Sequence, residues 1–251
     1  MFTQTANVEN GVESDAVLRP SPVVAALAPR RRVHVVTDPQ IVMSARRANS
    51  PPKRILDFII AFSALLGLLP LLIPVALAIK FTDGGPIFYG HRRIGRHGRE
   101  FRCWKFRSMA VNGAEILERY FAENPEALVE WKTTQKLEND PRVTQIGKFL
   151  RATSIDELPQ ILNVLLGEMS IVGPRPVPRA ELNERYGKDR CYYLLMRPGI
   201  TGLWQVSGRS KTTYERRVAL DREYATAWSL TKDVSILLRT IPAVLRADGA
   251  H

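Results

Sequence analysis

Adjacent carboxylates at Asp156 and Glu157 follow Arg151 and precede a rigid corner, Gly173-Pro174-Arg175-Pro176. Carboxylates act as covalent nucleophiles toward phosphate, and the planar donors of arginine match the geometry of a phosphate group. Leu150–Gln160 and the corner that carries Arg175 are therefore the candidate site. A purely structural account competes for the same residues. Ser154 with Glu157 three positions on fits a capping box, and acids in a first helical turn suit the helix dipole. Against it, Pro159 sits where a helix start would use a backbone donor, and prolines on both sides of Arg175 hold a functional group still. Upstream, alternation over Glu100–Arg107 puts Phe101, Cys103, Lys105 and Arg107 on one face of a strand, so that Lys105 and Arg107 project together toward a ligand. A solvated basic edge that blocks aggregation reads the same pattern equally well. Cys103 and Cys191 lie far apart without metal-type spacing, as free thiols of a reducing compartment do.

The element that must place this chemistry in space is a hydrophobic run, Ile55–Ile79, of 25 residues whose only charge is Asp57. As a straight helix it would reach roughly 37 Å, more than the ~30 Å hydrocarbon core of a bilayer. Its flanks argue against a simple span. Arg46, Arg47, Lys53 and Arg54 precede it and Lys80, Arg92, Arg93 and Arg96 follow it, and short basic flanks stay on the cytoplasmic side. Pro70 and Pro74 each remove a donor and bend a helix. Together these predict a re-entrant helix hairpin over residues 51–83, broken at Pro70 and Pro74, that dips into the membrane and returns; a bitopic anchor with a proline kink is the alternative.

Before the run, residues 1–50 are proline-rich and nearly devoid of aromatics, which predicts a disordered tail with a short apolar stretch at Val33–Val36. After it, residues 84–247 read as an α+β catalytic domain, small and mostly helical. It opens with a short basic β-hairpin, Ile87–Tyr89 and Glu100–Arg107 around the turn Gly95-Arg96-His97-Gly98. Helices are predicted over Ala114–Ala122, Pro125–Trp131, Ser154–Leu166, Asp189–Met196 and Thr213–Trp228. An amphipathic stretch, Leu230–Leu245, is predicted to lie along the membrane interface or to pack in the core.

The formal net charge of +11 calls for an anionic partner. Residues 80–110 hold eight Lys and Arg against two acids, next to the hydrophobic run. A basic belt there suits anionic membrane lipids and phosphate ligands rather than a nucleic-acid groove, and no nucleic-acid motif is present. A membrane-tethered lipid- or nucleic-acid-binding protein would use that belt without needing Asp156.

From about Lys53 to Leu245 the chain resembles the bacterial sugar transferases, monotopic phosphoglycosyl transferases of the short exopolysaccharide-initiating type. The matching stretches are Lys53-Arg54-Ile55-Leu56-Asp57, Gly85-Pro86 with Arg93-Ile94-Gly95, Lys105-Phe106-Arg107-Ser108-Met109, Asp140-Pro141-Arg142-Val143-Thr144, Thr153 to Gln160, Asn163-Val164-Leu165, Met169 to Pro176 and Arg197 to Val206. His91 departs from the glutamine expected there. The resemblance implies transfer of hexose-1-phosphate from a UDP-hexose to undecaprenyl phosphate at the cytoplasmic face of the bacterial inner membrane. It implies Asp156 as the nucleophile that forms an aspartyl-phosphosugar and releases UMP, Glu157 as the ligand of Mg²⁺, and Arg151 and Arg175 as phosphate contacts. The identity of the sugar and any homo-oligomeric state stay open.

Overall fold

The computed structural model describes residues 38–134, 137–208 and 212–245, all within one compact unit, His34–His251. The expected strand at Val33–Val36 lies outside the described residues. The first element, α1 (Pro39–Ala48), corrects the disordered-tail expectation for the end of residues 1–50. Asp38 caps it by accepting from the backbone N–H of Gln40 at 2.8 Å, Pro39 starts it with a preset φ, and Arg46 and Arg47 face the negative end of its dipole. Ser44 and Ala45 are buried, and the Ser44 hydroxyl accepts from the Trp228 N–H at 3.0 Å. The helix belongs to the folded domain because one of its faces has a partner there.

Next comes α2 (Pro51–Asp83), 33 residues ending on Gly84 in the left-handed conformation. It is one helical element, with Pro70 and Pro74 inside it, rather than two helices joined by a loop. Two prolines forfeit only two of its backbone bonds, which a long helix survives. Its most apolar 18-residue window has a mean hydropathy of 2.5 and is only 11% buried, so Ile55, Phe58, Ile59, Phe62, Leu66 and Ile73 face outward. Both ends nonetheless return to the domain. Ala61 joins the main core with Ile161, Val164 and Ile171, while Val75 and Ile79 pack with Phe106 and Leu150.

The basic residues that precede the run fold into the domain. Lys53 is 6% exposed. Its ammonium lies 2.5 Å from Asp57 and 3.1 Å from Asp233, and Asp57 also accepts from the Ser170 hydroxyl at 2.8 Å. Arg54 donates to the carbonyls of Val164 and, at 3.1 Å, of Leu165. A buried charge is tolerable only when paired, and here the pairs tie α2 to the domain.

Strands β1 (Phe88–Ile94) and β2 (Glu100–Phe106) form the expected antiparallel hairpin, with Tyr89 opposite Lys105. Then follow α3 (Gly113–Glu123), α4 (Pro125–Thr134) and α5 (Gln145–Ala152). The predicted helix over Ser154–Leu166 is corrected: a single 3₁₀ turn, Ile155–Glu157, precedes a short α6 (Gln160–Leu166). Ser154 itself is left-handed at φ 57 and its side chain makes no cap bond, so no capping box forms. A parallel pair, β3 (Ser170–Val172) and β4 (Gly199–Thr201), is separated by α7 (Arg179–Arg185) and α8 (Arg190–Leu195). Finally α9 (Tyr214–Thr226) packs on α1, and α10 (Leu230–Leu245) closes the described fold. In α10 the two rival readings each describe one face. Asp233 and Ile236 are buried, whereas Leu230, Val234, Leu238 and Ile241 are exposed at helical spacing.

Candidate active site

The turn that carries Asp156 and Glu157 is held from three sides. On the first, Thr144 caps α5 by accepting from the Gly147 N–H at 3.0 Å, and α5 lies so close to Ser108 that a Cβ at Gly147 would stand 2.0 Å from the Ser108 carbonyl oxygen. Only glycine permits that approach, and it delivers Arg151 near the turn with its Nε donating to the Ser108 hydroxyl at 2.9 Å. On the second, Asn163 of α6 accepts from the Trp104 N–H at 3.0 Å and donates to the Arg102 carbonyl at 2.7 Å, which fixes β2 beside the turn. On the third, the corner after β3 is pinned to β4. Gly173 donates to the Thr201 carbonyl at 2.9 Å, and Pro174 accepts from Gly199 at 2.8 Å. A side chain at Gly173 would collide with the backbone of Arg197. These bonds set where Arg175 starts.

Within this frame Lys105 binds both acids. Its ammonium donates to Glu157 at 2.6 Å and lies 3.6 Å from Asp156. Asp156 is 8% exposed, and Glu157 is half-buried. Burial raises the Asp156 carboxyl above the usual carboxylate range, with the Glu157 charge adding to the effect and Lys105 and Arg151 opposing it. Burial pushes Glu157 the same way, but Lys105, Arg175 and Arg93 outweigh it and hold that carboxyl below its ordinary value. Neighbouring carboxyls driven apart in this way take different roles. Glu157 stays anionic, while Asp156 owes its charge to the cations around it.

Arg175 rests over the Trp204 ring at 5.7 Å, and Arg217 of α9 covers the same ring at 4.6 Å. Trp204 is 8% exposed, so it is core as well as platform, and its indole N–H has no partner among the described residues. Arg93, at the end of β1, acts electrostatically on Glu157 and is itself depressed by burial and by Arg175.

Of the residues expected at the site, the structure brings together Asp156, Glu157 and Lys105, with Arg151 and Arg175 in electrostatic reach. Arg107 goes elsewhere. It pairs with Asp83 at the end of α2, because β2 ends at Phe106 and the strand alternation stops with it. Pro70 and Pro74 lie mid-helix in α2, in its outward-facing stretch. Residues given no role by motif spacing are Asn163, Ser108, Arg93 and Arg217; of these Asn163, Ser108 and Arg93 stood inside the matched stretches. Burial raises the Cys103 thiol to about 11 and raises Cys191 as well, so neither is a thiolate nucleophile at neutral pH.

Comparison with known proteins finds relatives over the same stretch of chain. A model of the family described as bacterial sugar transferase matches residues 48–247. The exopolysaccharide production protein ExoY of Sinorhizobium fredii is 51% identical over 213 residues, 85% of this chain and 94% of that protein. The UDP-galactose-lipid carrier transferase of Erwinia amylovora is 53% identical over 82% of this chain and 43% of its own length. The undecaprenyl-phosphate galactose phosphotransferase of Salmonella typhimurium is 50% identical over 82% of this chain, again 43% of its own length. On a match that takes in α2, the catalytic turn and α10 alike, the chain belongs to the bacterial sugar transferase family.

Proposed function

We propose that this enzyme transfers a hexose-1-phosphate from a UDP-sugar to undecaprenyl phosphate, the step that begins an exopolysaccharide repeat unit. The observation that carries this reading is the Lys105 ammonium lodged against Asp156 and Glu157, with Arg151, Arg175 and Arg93 around them. A carboxylate nucleophile meeting a diphosphate faces anionic repulsion, and this ring of cations offsets it. In the first half-reaction an Asp156 oxygen bonds to the β-phosphorus of the donor and the bond to the bridging oxygen breaks, releasing UMP. In the second, a phosphate oxygen of undecaprenyl phosphate attacks the same phosphorus and Asp156 leaves as the carboxylate.

Glu157 is the residue that would hold Mg²⁺. Its carboxyl is half-buried and held anionic by Lys105, Arg175 and Arg93, and Mg²⁺ typically takes one or two carboxylates and completes its shell with substrate phosphates. Bound there, Mg²⁺ would neutralise charge on the transferring phosphoryl group. Relatives whose names specify galactose or glucose carriers motivate the choice of donors to test.

Membrane attachment through α2 belongs to the same reading. Both its ends pack on the domain while its middle is apolar and exposed, as a re-entrant helix at the cytoplasmic face requires and a helix crossing to the far side does not. The test is purified enzyme in nanodiscs with undecaprenyl phosphate and a panel of UDP-sugars, scored by UMP. Asp156→Asn abolishes UMP release with membrane association unchanged; product formation surviving in that variant overturns the covalent route.

A further inference from the structure

The turn of the β-hairpin carries a cation cluster that the chemistry at Asp156 does not use. His97 and Gly98 are both left-handed, at φ 60 and φ 77, and the turn packs against α8. Arg96, Arg99 and Arg197 all act on His97, and Arg96 and Arg54 act on Arg197. Among the described residues none of Arg96, Arg99, Arg190 and Arg197 takes part in a salt bridge. The Nε atoms of Arg96 and Arg190 are buried without a hydrogen-bond partner. Asp57, the acid that acts on Arg197, is already engaged by Lys53 and Ser170.

The position of this cluster is fixed. Arg197 donates through Nε to the Gly167 carbonyl at 3.0 Å and through Nη1 to Asn49 at 2.9 Å. Asn49 stands two residues before α2, and the first exposed apolar side chain of that helix, Ile55, lies six residues on, roughly 9 Å along a helix axis. The polar layer on each side of a bilayer is about 5–8 Å deep, so a cation tied to Asn49 falls near the outer edge of that layer when α2 enters the bilayer from Ile55 onward. The catalytic turn is distant. Lys105 pairs with Tyr89, seven residues down the strand from Arg96, roughly 20 Å at strand rise.

We propose that Arg96, Arg99 and Arg197 form a seat for the phosphate of an acidic phospholipid headgroup, beside the entry of α2 into the membrane. Guanidinium groups that form no ion pair and keep donors free, in Arg197 its Nη2, suit a phosphodiester, and beside an inserted α2 a lipid is the source. The seat depends on α2 lying in the bilayer but not on the transfer reaction, so it stands or falls apart from the role of Asp156.

The test titrates the purified full-length chain in zwitterionic nanodiscs with fluorescent phosphatidylglycerol and, separately, fluorescent phosphatidylcholine, and follows UMP release in the same preparations. Phosphatidylglycerol is preferred, and Arg96→Gln with Arg99→Gln weakens it roughly tenfold or more, as expected for two cations near an anionic surface, while UMP release persists. Arg99→Glu alone, an exposed position, also weakens it, which keeps the test decisive if the double variant misfolds. Equal affinity in wild type and Arg99→Glu overturns the seat. Displacement of the lipid by millimolar inorganic phosphate overturns the lipid as its occupant.

Discussion

Replacing Lys53 with methionine separates the two accounts of the basic flank. If Lys53 were a headgroup-facing cation, an isosteric neutral residue would change stability by no more than about 0.5 kcal/mol. In the structure it is buried between Asp57 at 2.5 Å and Asp233 at 3.1 Å, and removing it strands two carboxylates in the interior. Breaking a buried pair from one side costs about 3–5 kcal/mol. At about 2–4 °C per kcal/mol for a domain of this size, the melting temperature should fall by roughly 6–20 °C. The pH dependence supplies an internal check. Burial already raises the Asp233 carboxyl, with Lys53 the leading opposing influence, so in Lys53→Met that pKa rises further. A carboxyl whose folded pKa lies above its unfolded value favours the folded state at low pH and loses that contribution as pH rises through the folded pKa. The deficit of the variant should therefore be smaller near pH 5 than near pH 8. Thermal unfolding in detergent or nanodiscs, followed by tryptophan fluorescence, measures both; Trp228 donates to Asp233 at 3.2 Å and reports locally. A drop under about 2 °C at pH 8, or a deficit that grows toward acid, refutes the buried network.

Lys105→Met removes the nearest cation from Asp156; because Asp156 is already raised by burial and Lys105 opposes that, the acid limb of the kcat profile should move to higher pH, besides an overall loss of rate. Gly147→Ala places a Cβ 2.0 Å from the Ser108 carbonyl oxygen, so it should destabilise the protein by about 1–3 kcal/mol and lower turnover by displacing Arg151. Gly67→Ala, with nothing within 4 Å of the new methyl, should be stabilising by about 0.5–1 kcal/mol, and the pair of melting curves measures the contrast.

How much of this was legible in the sequence depended on the range of the interaction involved. The hairpin and the later helices announced themselves through alternation and helical spacing, which are local signals. So did α1, since Asp38 before Pro39 is a cap signature, but the proline-rich composition of residues 1–50 masked it. The paired acids Asp156 and Glu157 were legible as types, whereas their backbone was not: the left-handed Ser154 is a conformation that serine seldom adopts, and it replaces an ordinary helix start with a 3₁₀ turn. Arg107 failed for a related reason, since alternation assigns faces only while the strand lasts. Lys53 and Arg54 entered only as flanking charge because composition records that a charge exists and not where it points; their partners Asp233 and Val164 are far along the chain.

Those two residues join attachment to chemistry. Lys53 couples the first turn of α2 to α10 through Asp233, and Asp57 holds the strand that leads into the Arg175 corner by accepting from Ser170 and, at 3.2 Å, from the Ile171 N–H. Arg54 meets the C-terminal carbonyls of α6, where a cation also satisfies the negative end of the helix dipole. The other end of α6 follows directly on the Asp156–Glu157 turn, and its Asn163 holds the strand bearing Lys105. The Lys105 strand and the Arg175 corner are thus tied, each through one element, to the same few residues at the start of the apolar helix, while Arg151 is carried by α5, whose Leu150 packs on Val75 and Ile79 near its other end. A site built this way keeps a constant height relative to α2. On the proposed function, that fixed height is what would let a lipid phosphate, confined to one plane, and a soluble nucleotide meet at Asp156.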